Sequence, residues 1–205
     1  MSSSAVINEI GTTLEQIIEN QWNDDPKISG LKCPKISFDS PYELVKRAAE
    51  GSQYISLFLF HVSENTHLRN SMADTYFDNA GSELQPDLPL ALDLIYLVTA
   101  ISTTGTPQDP TNEKRILGRV MQIFNDNREI RLADSSTPLI KVYFHSLGID
   151  ELARLWASFP DTPYRLSVSY LVTPVFIDSL RHGLLPKRVV DRSLASAQAE
   201  KRGDE

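Results

Sequence analysis

Few side chains in this 205-residue sequence have the type and setting that chemistry requires. Asp93 comes first, a carboxylate inside the apolar run LPLALDLIYLVTAI (residues 88–101). A carboxylic acid in such a setting can have its proton affinity raised and act as a general acid. It can equally pair with an arginine at the open face of a strand, or mark a docking point. The paired reading ranks first, because buried charges are seldom left alone. His145, at the end of the alternating run LIKVYFH, is the residue that would join Asp93 in a small active site. Cys33 lies between Lys32 and Pro34, with Lys35 beyond. That is a weakly electropositive setting for a thiolate, and an incidental half-buried cysteine is the plainer reading where no family-specific cysteine signature is present.

Four histidines, His61, His67, His145 and His182, are scattered along the chain. A metal centre needs three or more converging ligands with supporting partners, and their spacing does not provide them. The sequence holds no Gly-rich phosphate loop, nucleophile elbow, zinc-type His-Glu-His spacing or calcium loop. No catalytic residue, cofactor or metal ligand is assigned on this basis. What remains are candidate contact residues. Arg115 and Arg119, with Lys114, fall on one helix away from its apolar stripe, where a solvated face is the default and phosphate binding the sharper alternative. Arg165, Ser167 and Ser169 fall on the outward face of a long strand that Pro174 interrupts. Together with Asp93 these make the candidate interface.

The elements that must position these residues follow from periodicity. Val6, Ile7, Ile10, Leu14, Ile17 and Ile18 predict a helix over residues 4–22, capped by one of the opening serines. Asn23-Asp24-Asp25-Pro26 ends it. Residues 35–39 read as a short strand and 41–50 as a short helix or turn. Residues 53–64 read as a strand apolar on both faces, hence covered on each side. Residues 65–86 read as a long polar surface loop, a class often functional. Residues 88–101 read as the next strand, with Leu88, Leu90, Leu92, Leu94, Tyr96 and Val98 on one face, and 102–112 as a loop. A helix over 113–127 carries Ile116, Leu117, Val120, Met121 and Phe124. Short strands follow at 129–132 and 139–145, the second with Ile140, Val142 and Phe144 opposite Lys141, Tyr143 and His145.

A helix over 149–159 buries Leu152, Leu155, Trp156 and Phe159, with Asp150 at its cap or in its first turn. A strand over 164–177 turns Tyr164, Leu166, Val168, Tyr170 and Val172 to the core. Pro174 places the end of that strand at an edge or a bulge. The expectation is an α/β (α+β) fold, a mixed and largely antiparallel sheet with helices packed on it. One domain spans residues 1–185, and a polar C-terminal tail spans 186–205.

Totals narrow the function classes. The formal charge is −7 and the isoelectric point about 5.1, so nucleic acid and anionic membranes meet a repelling average field. With one cysteine no disulfide forms within the chain, which is what a reducing compartment would give. The first residues hold no basic stretch followed by an apolar run, and residues 88–101 are too short and too polar to span a bilayer. A soluble intracellular protein is expected.

Five segments in order carry a resemblance. They are SPYELVKRAAEGSQYISLFLFHVSENTHLRN (40–70), LPLALDLIYLVTA (88–100), ILGRVMQIFND (116–126), DELARLWASF (150–159) and YRLSVSYLVTPVFIDS (164–179). The sequence resembles the N-terminal domain of the tail-terminator or cap proteins of extracellular contractile injection systems, of the antifeeding-prophage type. The resemblance implies a homo-hexameric ring that binds the last sheath and inner-tube rings and stops their growth. It implies no reaction, no cofactor, no nucleic acid and no membrane insertion. Assembly in the cytoplasm, within a contractile particle that can be released, is implied likewise. A ring of that kind uses heterologous patches rather than a deep pocket, and strand addition is one route to matching a growing edge. Three alternatives stand beside it: a baseplate or neck part of the same particle, an adaptor for cargo or membrane attachment, and a small enzyme around Asp93 and His145.

Overall fold

The computed structural model describes residues 5–25, 30–68, 84–86, 89–132, 139–179 and 182–184. The opening serines, most of the 65–86 segment and the polar tail at 186–205 lie outside the described residues. Helix α1 (Val6–Gln21) forms around one stripe, Val6, Ile10, Leu14 and Ile18, each at most 1% exposed. Its N-cap is Ala5, with no side-chain cap hydrogen bond, where a serine was expected. A 3-10 turn at Trp22–Asp24 ends it and drives Trp22 into the core. The indole Nε1 there donates to the Leu31 carbonyl at 3.0 Å.

Strand β1 (Lys35–Ser37) leads to helix α2 (Pro41–Arg47). Ser40 caps α2 by accepting from the Glu43 amide, and Pro41 occupies the first turn, where a missing N–H is harmless. The remaining elements are β2 (Gln53–Glu64), β3 (Leu84–Pro86), β4 (Leu90–Ser102), α3 (Asp109–Asp126), β5 (Glu129–Ile130), β6 (Ile140–His145), α4 (Ile149–Ala157), β7 (Ser167–Ile177) and β8 (His182–Leu184).

Six strands form one sheet in the order β1-β2-β4-β7-β6-β5, and β3 pairs with β8 apart from it. Only β1–β2 is parallel; the other pairings are antiparallel. The expected mixed, largely antiparallel sheet is therefore what the chain builds. Ile55 and Leu57 of β2, Leu94, Tyr96, Val98 and Ala100 of β4, Tyr170 and Val172 of β7, and Ile140 and Val142 of β6 share one face. That face packs on α1 and on Ile116, Leu117, Val120, Ile123 and Phe124 of α3. The opposite face carries Ser56, Phe58, Leu97, Thr99 and Ser167. It lies under α2, whose Leu44 is buried, and under Phe159, whose ring meets Phe58 at 6.1 Å.

Several expectations change. Helix α3 starts at Asp109, because Pro110 opens its first turn rather than prolonging a loop. β7 starts at Ser167, so Tyr164 and Leu166 precede it and are 58% and 49% exposed instead of facing the core. Ser167 and Ser169 are buried, because β7 lies between β4 and β6 with both sheet faces covered there. Phe144 shares a face with Val142 yet is 57% exposed, since it stands at the sheet margin. Helix α4 buries Trp156 alone. Leu84–Pro86, expected as loop, is a strand.

Candidate interface

Each proposed contact residue has a place in this framework, and most of them brace it. Asp93 faces a bulge in β7, where Leu92 pairs with Val175 and Leu94 with Val172. Thr173 and Pro174 oppose it, two residues against one. Asp93 Oδ1 accepts hydrogen bonds from Thr173 Oγ1 at 2.5 Å and Asn65 Nδ2 at 2.9 Å. These neutral donors, not an arginine, are the partners observed. Pro174 follows a cis peptide bond and sits in this bulge, and β6 pairs no further than Thr173. Pro174 lies in a bulge, and beyond Thr173 the end of β7 pairs with β4 alone among the described residues, so that end is also an edge.

His145 pairs with Ser169, four residues along β7 from Thr173. At about 3.3 Å per residue that is some ~13 Å from the Asp93 bulge. The fold does not bring Asp93 and His145 together.

Arg119 was expected on a solvated face and is 4% exposed. Its Nε donates to the Trp22 carbonyl at 3.3 Å, one terminal nitrogen donates to the Gln21 carbonyl, and the other donates to Gln122 Oε1 at 3.0 Å. It therefore closes the carbonyl end of α1, where a cation meets the negative end of the helix dipole. Arg115 and Lys114 remain exposed on α3. Arg165 is ion-paired with Glu113, with side chains 23% and 18% exposed. Glu113 also accepts the Ser102 amide at 3.0 Å, which ties the approach to β7 to α3 and the end of β4.

Ser167 Oγ shares a 2.9 Å hydrogen bond with Thr99 Oγ1, and Ser169 Oγ donates to the His145 carbonyl at 2.5 Å. Both are interior hydroxyls with partners, not a contact surface. The thiol of Cys33 is pushed up to about 11 by burial and by the neighbouring Glu19 carboxylate, away from thiolate reactivity. No group of three or more potential metal ligands occurs among the described residues.

The surface that sequence reasoning passed over lies at the other margin. Tyr143 and Phe144 of β6 are 44% and 57% exposed. With Tyr170, Met121, Phe124 and Arg128 they line a groove of about 570 Å3 beside the C-terminal half of α3. Strand β5 pairs only as far as Lys141, and the Val142 amide donates to the Arg128 carbonyl at 2.8 Å. Two residues on, Phe144 turns its N–H and C=O in the same outward direction. No strand among the described residues pairs with β6 on that side beyond Val142. In the sequence Phe144 falls on one face with Ile140 and Val142, and Tyr143 on the other with Lys141 and His145, so the two aromatics do not stand out as a surface.

An interior sheet with braced charges and one open aromatic margin defines an α+β scaffold module. The chain belongs to the Pvc16 N-terminal domain family, which it matches over residues 9–190. Its fold is similar to that of the sheath/tube terminator of the PVC extracellular contractile injection system in the extended state. That likeness has a TM-score of 0.60 at 18% identity and covers 98% of this chain and 66% of that one. It is also similar to the anti-feeding prophage tube-terminating cap, with a TM-score of 0.53 at 20% identity over 91% of this chain and 60% of that one. The chain thus spans less than two thirds of the length of either. No curated protein matches it in sequence. No helix among the described residues is long and apolar enough to cross a membrane.

Proposed function

We propose that this protein is the terminator or cap of a phage-tail-like contractile injection system, a ring that sits on the last sheath and inner-tube rings and halts their growth. The observation that carries this reading is the likeness of fold to a sheath/tube terminator across nearly the whole chain. The site chemistry points the same way. Asp93, Arg119, Arg165, Ser167 and Ser169 are engaged in holding strands and helices together. The role is non-catalytic, and the enzyme alternative lacks the pairing of Asp93 with His145 that it needs.

In this reading the chain is one domain followed by a polar tail, assembled in the cytoplasm into a particle that can leave the cell. Its ring is a homo-hexamer built from heterologous patches. The open margin of β6, with Tyr143, Phe144 and the adjoining groove, replaces the buried face of β7 as the contact for a sheath or tube strand. Arg115 and the segment 186–205 supply further contacts.

Light scattering on the purified protein, with and without sheath and tube proteins, tests this together with electron microscopy of tube lengths. A hexamer, or a monomer that becomes a ring on tube ends and shortens them, is expected. A monomer that leaves tube and sheath growth untouched overturns the reading.

A further inference from the structure

Helix α4 is fastened to the rest of the molecule through a single buried residue. Trp156 is 5% exposed, while Ile149 at the start of the helix is 87% exposed. Leu152 and Leu155 are half-buried. By contrast, α1 and α3 each bury a full stripe. The ring partners of Trp156 are Phe159 and Tyr164, each at 5.5 Å between centroids, and both belong to the same stretch of chain. Phe159 therefore travels with the helix, Tyr164 lies just beyond the segment, and Phe58 of β2, against Phe159, is the sheet ring it rests on.

One donor of the helix, Trp156 Nε1, is buried with no acceptor among the described residues. Its lost hydration is uncompensated while the helix is docked and is restored when it lifts. Neither flank of the segment is helix or strand: residues 146–148 are extended coil and a turn runs through 158–161. Gly148 precedes the helix, and Pro160, Asp161 at φ 54° and Pro163 follow it.

We propose that residues 148–159 form a hinged cover on the second face of the sheet, which lifts as one piece while α1, α3 and the six strands stay closed. Lifting wets Trp156 Nε1 and uncovers Phe58. The hinges are the coil residues Ser146 and Leu147 and residues 160–163, while Gly148 stays with the helix through its bond to Glu151. The cover is a property of the isolated chain and stands whether or not the terminator reading does.

Hydrogen exchange on the intact protein reads the motion directly. Under native conditions the amides of α4 are expected to exchange at least about 100-fold faster than those of α3. Their denaturant dependence should be too small for global unfolding. Exchange of the two helices at one common rate overturns the proposal. Trp156→Ala is expected to strip the remaining protection from α4 and leave that of α3 within about threefold, the signature of a sub-global opening. Loss of protection in both helices together would count against it, and the wild-type comparison decides the matter if that variant does not fold.

Discussion

The two faces of the sheet are held by different means. Toward α1 and α3, Ile18, Leu94, Val98 and Val172 are fully buried against one another, and the stabilisation scales with apolar area. Toward α2 and α4, hydroxyls fill much of the interior. Ser56 donates to the Asp39 carbonyl at 2.8 Å, Thr99 meets Ser167, and Ser169 bonds the His145 carbonyl. Each such bond contributes roughly 1 kcal/mol net. A face built from many small, replaceable contacts can be rearranged without losing the fold; a face built from interlocked aliphatic side chains cannot.

Truncation should separate the faces most sharply. Leu94→Ala is expected to lower unfolding free energy by about 2–5 kcal/mol, the range for a filled core position. Leu155→Ala on α4 should fall below about 1 kcal/mol in the same urea titrations. Similar values at both sites would erase the contrast. Arg119→Ala comes next, at about 1–3 kcal/mol, because it strips the carbonyls of Gln21 and Trp22 of a buried donor. Thermal melts followed at helical wavelengths would show it. On the second face, Thr99→Val keeps the volume and removes the bond to Ser167, for a loss near 1 kcal/mol. A loss as large as that at Leu94 would show that the hydroxyls are not the weaker cement.

The acid side of the stability curve supplies a smaller effect. The Asp109 carboxyl is held below its ordinary range, chiefly by the Thr104 hydroxyl. Desolvation opposes this, and Ser102 and the amides of Gly105 and Thr106 add to it. A depressed folded value means the contribution is present at neutral pH and is lost as pH falls through that value, below about pH 4. Asp109→Asn should flatten that limb in acid titrations of unfolding. Smallest of all, Ile149→Ser should stay within about 0.5 kcal/mol by urea titration, because the side chain is exposed.

Long periodic elements were legible in the sequence. The stripe of α1 and the full extent of β2 follow from spacing alone, since 3.6- and two-residue periods leave few alternatives. Failures gathered where tertiary packing decides. Ser167 and Ser169 read as outward-facing because polar residues usually mark solvent, whereas α2 and the residues around α4 shelter that face. Arg119 read as solvated because nothing local announces that the end of α1 will arrive over it. Pro110 read as loop although a first helical turn tolerates it. The three-residue strands β3 and β8 carry too little pattern to separate from turns. The bonding of the candidate contact residues was the least legible. Five of the seven, Asp93, Arg119, Arg165, Ser167 and Ser169, proved to be braces, and the open margin of β6 depends on where β5 stops, which no residue type encodes.

The pairing of β4 with β7 has a consequence for how the molecule comes into being. Thr99 and Ser167 are 68 residues apart in the chain, yet their strands are neighbours at the centre of the sheet. Closing so long a loop precedes any reward from the contact, so this step slows folding. During synthesis β4 is made early and waits with one edge bare until β7 has emerged. Until then a nascent copy offers its most apolar strand to any similar strand nearby, and crowded translation of many copies is the condition in which it would aggregate.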